Sequence, residues 1–235
     1  MVADVPDASA PPFADRRTAG RLLASRLRQD PALTTGSRPP VVLALPRGGV
    51  PVAREVADLL GAPLDVLVTR KIGYPGQPEL GVGAIAEGGE PVYDELLLRR
   101  LGLTRAALAR VVDRERAELL RRVAAYRGGR PPPDVAGRQV VLADDGLATG
   151  VTARAALRSL RARAASRTVL AVPVAAPSSA DAMRAEADDV VTLATPAAFR
   201  AVGEWYVSFG QLADSDVLAL LGREDDGPGS GGAGA

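Results

Sequence analysis

The sequence predicts an α/β fold: a doubly wound, mostly parallel sheet of five strands. Three observations lead there. Short apolar runs alternate with segments of helical period along most of the 235 residues. Those runs are continuously apolar rather than alternating, as strands covered on both faces are. Three of them end in glycine combined with acidic, basic or hydroxyl residues, and in such sheets ligands bind beyond the carboxyl ends of the strands.

The elements follow in order. Residues 1–14 and the Gly-rich 223–235 are expected to be disordered, leaving one domain over 15–222. Residues 15–27 read as an amphipathic helix with Leu22, Leu23 and Leu27 on one side. After a loop, 41–45 is the first strand, 50–60 a helix closed by Gly61, and 64–69 the second strand. Residues 73–93 are rich in Gly and Pro, with an apolar patch at 80–86; they read as a long flexible loop or a hairpin. A helical insertion over 94–126 breaks near Gly102, with Thr104 as a cap for its second piece. The third strand is 139–143 and is followed by a helix over 153–165, with Ala153, Leu157, Leu160 and Ala164 on one face. Strands at 168–174 and 189–193 flank a helix over 178–187. An aromatic-rich stretch then leads into a last helix, 214–221.

Composition excludes several chemistries. There is no Cys and no His, so thiol catalysis, His triads and His–metal sites are ruled out. What remains is carboxylates, hydroxyls, Lys/Arg, backbone amides or an oxygen-bound metal, which favours Mg2+. The 29 basic and 28 acidic residues give a net charge of +1 and no electrostatic case for nucleic acid. No stretch approaches the ~20 apolar residues that span a bilayer, and residues 1–12 lack the basic start and apolar middle of a signal peptide. The expectation is a cytoplasmic protein without membrane contact.

The first strand end with chemistry is 140–152. A buried strand runs into Asp144 and Asp145, followed by Gly146, Leu147, Ala148, Thr149, Gly150, Val151 and Thr152 and then a helix. The glycines let backbone amides curl inward, and the helix N-terminus adds partial positive charge; Thr149 and Thr152 are further donors. Two acids sit badly beside a bare phosphate. They fit a sugar phosphate whose vicinal hydroxyls they accept, and they can touch Mg2+ directly or through water. No Gly-Lys-Ser/Thr follows the turn, so this is not a Walker A loop. The second strand end offers Arg47, Gly48 and Gly49, a guanidinium with close-approach amides for an anion; taken alone, it also reads as a tight turn with a surface Arg. The third offers Arg70 and Lys71 for the same anion, ahead of the Gly/Pro-rich loop.

These motifs resemble those of the type I phosphoribosyltransferases. The segment 140–152 is similar to their motif for phosphoribosyl diphosphate (PRPP). The run Arg-Lys-Ile-Gly through Pro-Glu-Leu and Gly-Ala, with Val202-Gly-Glu-Trp-Tyr-Val-Ser-Phe209, resembles a poorly characterised bacterial branch. The resemblance implies that Asp144 and Asp145 hold the ribose hydroxyls and 146–152 the 5′-phosphate. It implies a pyrophosphate site at Arg47–Gly49 and a loop that closes over the reacting centre. Arg70, Lys71, Asp144 and Asp145 would form the catalytic set, with Asp144 and Asp145 as the Mg2+ contacts. It also implies a small hood over 196–213, where Trp205, Tyr206 or Phe199 stack on a nucleobase-like acceptor or simply pack the hood. A homodimer is expected, with the 94–126 helices as a possible contact surface. Relatives acting on 6-oxopurines carry an acid where this chain has Ala148, so that proton-handling device is missing; Leu-Ala-Thr-Gly looks more like the adenine-using members.

The expected function is therefore Mg2+-dependent transfer of a 5-phosphoribosyl group between PRPP and a nitrogenous base. The alternative is a non-catalytic PRPP-binding regulatory module. A phosphoacceptor receiver domain fits poorly, because receivers place their acid pair after the first strand.

Overall fold

The computed structural model describes residues 13–36 and 38–222. Most of the two expected disordered tails lies outside these residues. Residues 13 and 14 do not: Phe13 bridges to Tyr206 and its amide donates to the Trp205 carbonyl, so these two are held in the fold, against expectation.

Five strands form one parallel sheet: β1 (Val41–Ala44), β2 (Leu64–Val66), β6 (Gln139–Ala143), β7 (Arg167–Val174) and β8 (Asp189–Ala194). Their order is β2-β1-β6-β7-β8. The direction of winding thus reverses between β1 and β6, and a crevice opens beyond the strand ends at such a switch point. Successive side chains serve opposite layers. Val42, Ala44, Val141 and Ala143 pack beneath α1 (Arg16–Leu27) and α3 (Gly49–Leu60), with Leu33 of the one-turn α2 (Pro31–Thr34) at the edge of that layer. Val41, Leu43, Val140 and Leu142 pack beneath α6 (Val151–Ala162) and α7 (Pro177–Met183). Two apolar layers on one sheet explain why β1 is buried throughout.

The expected second strand, 64–69, is split. Its first half is β2; from Thr69 the chain leaves the sheet as β3 (Thr69–Tyr74), which pairs antiparallel with β4 (Gln77–Ala86) and through it with β5 (Val92–Tyr93). Residues 73–93 are therefore not an open loop: most of them belong to this hairpin. Ile72 and Val82 pack against α4 (Glu95–Leu101) and α5 (Ala109–Arg127) through Leu98, Leu108 and Val112. Val151 and Ala155 of α6 meet its other end at Ala84 and Ala86. The insertion and hairpin thus form one small lobe beside the switch point. Buried Arg127 locks α5 to the core, pairing with Glu87 and Asp65 and donating to the Val66 carbonyl at 3.0 Å.

The last helix, α8 (Asp214–Leu220), closes against the α1/α3 layer through Val217. No helix among the described residues is long and apolar enough to cross a membrane.

Candidate active site

β1 and β6 run in register from Val41 opposite Val140 to Ala44 opposite Ala143, and the Leu45 amide donates to the Ala143 carbonyl at 2.9 Å. Their loops therefore emerge side by side. Gly48 and Gly49 make this possible. A Cβ on Gly48 would overlap the Asp145 carboxylate, and one on Gly49 would lie 2.7 Å from the Ala143 carbonyl oxygen and 2.8 Å from Asp144 Cα. The two glycines, anticipated as anion-binding amides, act in this structure as space for the acid pair. The substitutions Gly48→Ala and Gly49→Ala should both destabilise, for different reasons. In G49A the added carbon meets backbone that cannot step aside, with an overpacking cost of about 1–3 kcal/mol. In G48A it meets the Asp145 carboxylate, which can yield only by giving up its contact with Arg16. Melting curves on the two variants check this, and a wild-type melting temperature in either would contradict it.

A cavity of about 450 Å³ opens at the switch point. Its wall brings together Arg70, Lys71, Asp144, Asp145, Gly146, Leu147, Ala148, Thr149, Gly150 and Thr152. The loop after the acid pair is pinned at Leu147: its amide donates to the Val174 carbonyl at 2.9 Å, and its carbonyl accepts from the Ala176 amide at 2.8 Å. Gly150 has φ +72° at the N-cap of α6, and no side chain caps that helix. The amides of its first turn have no intrahelical acceptor, and Thr149, Gly150 and Thr152 at that end line the cavity.

At the cavity floor, the Asp145 amide donates to Asp144 Oδ1 at 2.8 Å. Burial, with the adjacent Asp145 carboxylate, pushes the Asp144 carboxyl well above the usual carboxylate range. Asp145 has a counter-charge that its sequence neighbourhood does not reveal. Arg16, at the start of α1, donates from Nε to Asp145 Oδ2 at 2.8 Å and from Nη1 to the Gly210 carbonyl at 2.9 Å. Its guanidinium carbon lies 3.8 Å from the centre of the Phe209 ring. One side chain therefore joins the N-terminal helix, the hood and the acid pair.

Several anticipated residues lie elsewhere. Arg47 is off the cavity wall, with Nη1 3.8 Å from Asp214 Oδ1; Pro46 takes its place. Gly48 and Gly49 lie behind the acids. Val151 packs under the hairpin. Trp205 and Tyr206 are also off the wall and do not form a stacking platform. Tyr206 is buried, stacks on Phe209 with ring centres 5.1 Å apart, and donates its hydroxyl to the Asp145 carbonyl at 2.5 Å. Burial pushes its phenol far above the ordinary value. Of the two roles open to the aromatics, packing the hood is the one the structure shows; Val202 is the hood residue that reaches the cavity.

Arg70 is on the wall, but both its Nε and Nη2 donate to Glu115 Oε2 of α5, at 2.9 and 2.8 Å. Sequence reasoning missed Arg16, Glu115 and a further wall residue, Arg122.

Comparison with known proteins agrees with this geometry. The family model described as the phosphoribosyl transferase domain matches residues 16–205. Two Mycobacterium tuberculosis proteins, from strains CDC 1551 and H37Rv, each carry the name Putative phosphoribosyl transferase and are 48% identical over 211 residues, which is 90% of this chain. The chain spans only about half their length, 46%. The crystal structure of TT1426 from Thermus thermophilus is 46% identical, with a TM-score of 0.74 over 89% of this chain and 97% of that one. A doubly wound sheet with an acid pair and a glycine–threonine loop at the switch point, together with a family match over most of the chain, places this protein in the phosphoribosyl transferase domain family.

Proposed function

We propose that the cleft binds PRPP and moves its 5-phosphoribosyl group onto a nitrogenous base, releasing pyrophosphate, or runs the reverse reaction. The observation that carries this reading is the convergence of three chemistries on one cavity: the acid pair, the uncapped N-terminal end of α6, and the cations Arg70 and Lys71. Together they suit a ligand that carries a diol and two anionic groups, as PRPP does. Two adjacent carboxylates on the wall suit Mg2+, which keeps waters and takes one or two carboxylates together with substrate oxygens. Asp144 and Asp145 would hold it, and it would offset negative charge on the departing pyrophosphate. The protein's own contribution is positioning and charge stabilisation. The acids orient the ribose, the α6 amides fix the phosphate end, and Arg70 and Lys71 draw charge from the leaving group.

The raised Asp144 sets a pH dependence. Both a cation and a diol are bound best by the ionised acid. Affinity for Mg–PRPP should therefore tighten as pH rises above the usual carboxylate range, as the proton is expelled. Calorimetry across that range should show this slope in the wild type and a flatter one in D144N.

The test of function is pyrophosphate release from Mg–PRPP across a panel of purine and pyrimidine bases. Release with one base supports transfer. Tight PRPP binding with no release from any base would instead support the non-catalytic binding module.

A further inference from the structure

Helix α5 turns one face inward. Val112, Glu115, Leu119 and Tyr126 are buried along it, at i, i+3, i+7 and i+14. Position i+10 of that stripe is Arg122, whose side chain is only 21% exposed. A cation on the inward face of a helix is costly unless an anion meets it. Glu118 accepts from its Nε at 2.9 Å. That carboxylate is already held by Arg121, at 2.7 and 2.9 Å, and the two arginines, Arg121 first, pull it down to about 2. Glu118 thus fixes the Nε edge of Arg122, and Arg122 lines the cavity with Arg70 and Lys71. Arg47, the cation expected there, is off that wall beside Asp214. Helix α5 is held on both sides of Arg122, by Arg70–Glu115 and by Arg127 with Glu87 and Asp65.

We infer that Arg122 is a substrate-binding residue: a third cation for the pyrophosphate group of the donor, supplied by the helical insertion. The inference rests on the PRPP reading of the cleft. A guanidinium fixed at Nε offers its remaining N–H groups as a fork that suits phosphate oxygens. In this arrangement the insertion does more than brace the hairpin, because it completes the anion site.

The test is calorimetry on the full chain with three probes: Mg–PRPP, Mg–pyrophosphate and ribose 5-phosphate. Arg122→Ala should weaken the first two by about 10–100-fold and leave ribose 5-phosphate unchanged. Arg122→Lys should recover part of the loss, and Arg110→Ala, at an exposed arginine near the start of α5, should bind all three as the wild type does. Wild-type pyrophosphate affinity in R122A would overturn the inference, as would an equal loss for ribose 5-phosphate, which would mark a purely structural role. If the wild type itself fails to bind Mg–PRPP, the donor reading falls and the inference with it. If the wild type binds and R122A binds equally well, only the inference falls.

Discussion

Replacing Asp144 and Asp145 together by asparagine should weaken Mg–PRPP binding by at least ~100-fold. Each acid offers charge-assisted hydrogen bonds worth roughly 1.5–3 kcal/mol, and asparagine retains the shape without the charge. Calorimetry measures the loss, and unchanged affinity would remove the acid pair from the site. The single D144N variant should show a second effect of opposite sign on stability. The folded-state pKa of Asp144 is raised, so the fold favours the protonated acid. Stability from this group is present below the usual carboxylate range and is lost as pH rises through the raised value. The asparagine of D144N would keep the acceptor for the Asp145 amide without the charge. D144N should therefore melt higher than the wild type at neutral pH, by about 2–4 °C for each kcal/mol relieved, and the gap should close in acid. A higher melting temperature in D144N would mark a charge held against the fold's own preference, as charges kept for function are.

The second large effect is expected at Arg16. Arg16→Met keeps an apolar stem over Phe209 and removes the charge. Asp145 then loses its ion pair, Gly210 loses a donor, and Asp144 loses the nearby positive charge that partly offsets its raised pKa. Breaking a fully buried pair costs about 3–5 kcal/mol, and this pair is slightly solvated, so a cost on the order of 2–3 kcal/mol is expected. The melting temperature should fall by about 5–10 °C, and Mg–PRPP affinity should fall with it. Arg16→Lys should restore charge but not the fork that reaches Asp145 and Gly210 together, so rescue should be partial. A melting temperature and affinity equal to wild type in R16M would show that α1 and the hood are not coupled to the acids through this residue.

The parallel sheet was legible because its strands are continuously apolar and its helices carry one-sided stripes. The acid pair and the glycine–threonine loop on the cavity wall were legible because their residue types crowd into one short segment, 140–152. The choice between loop and hairpin over 73–93 was not. Glycine and proline in 73–93 signal a loop, yet Gly73 sits where a Cβ would overlap the Pro78 carbonyl oxygen. The glycine there marks close strand approach rather than an open chain. Arg16 could not have been found locally, since it is 129 residues from Asp145. Arg122 could have been, because it falls on the stripe of Leu119 and Tyr126. The stacking role open to Trp205 and Tyr206 did not survive, because the hood needs their rings for its own small core.

The central claim is that one cavity at the β1/β6 switch point holds the phosphoribosyl donor, and a co-crystal structure with Mg–PRPP tests it most directly. The expected result has the 5′-phosphate on the amides and hydroxyls of Thr149–Thr152, the ribose diol on Asp144 and Asp145, and the pyrophosphate against Lys71 and Arg70. PRPP bound elsewhere, or bound in this cavity with its ribose away from the acid pair, would contradict the account.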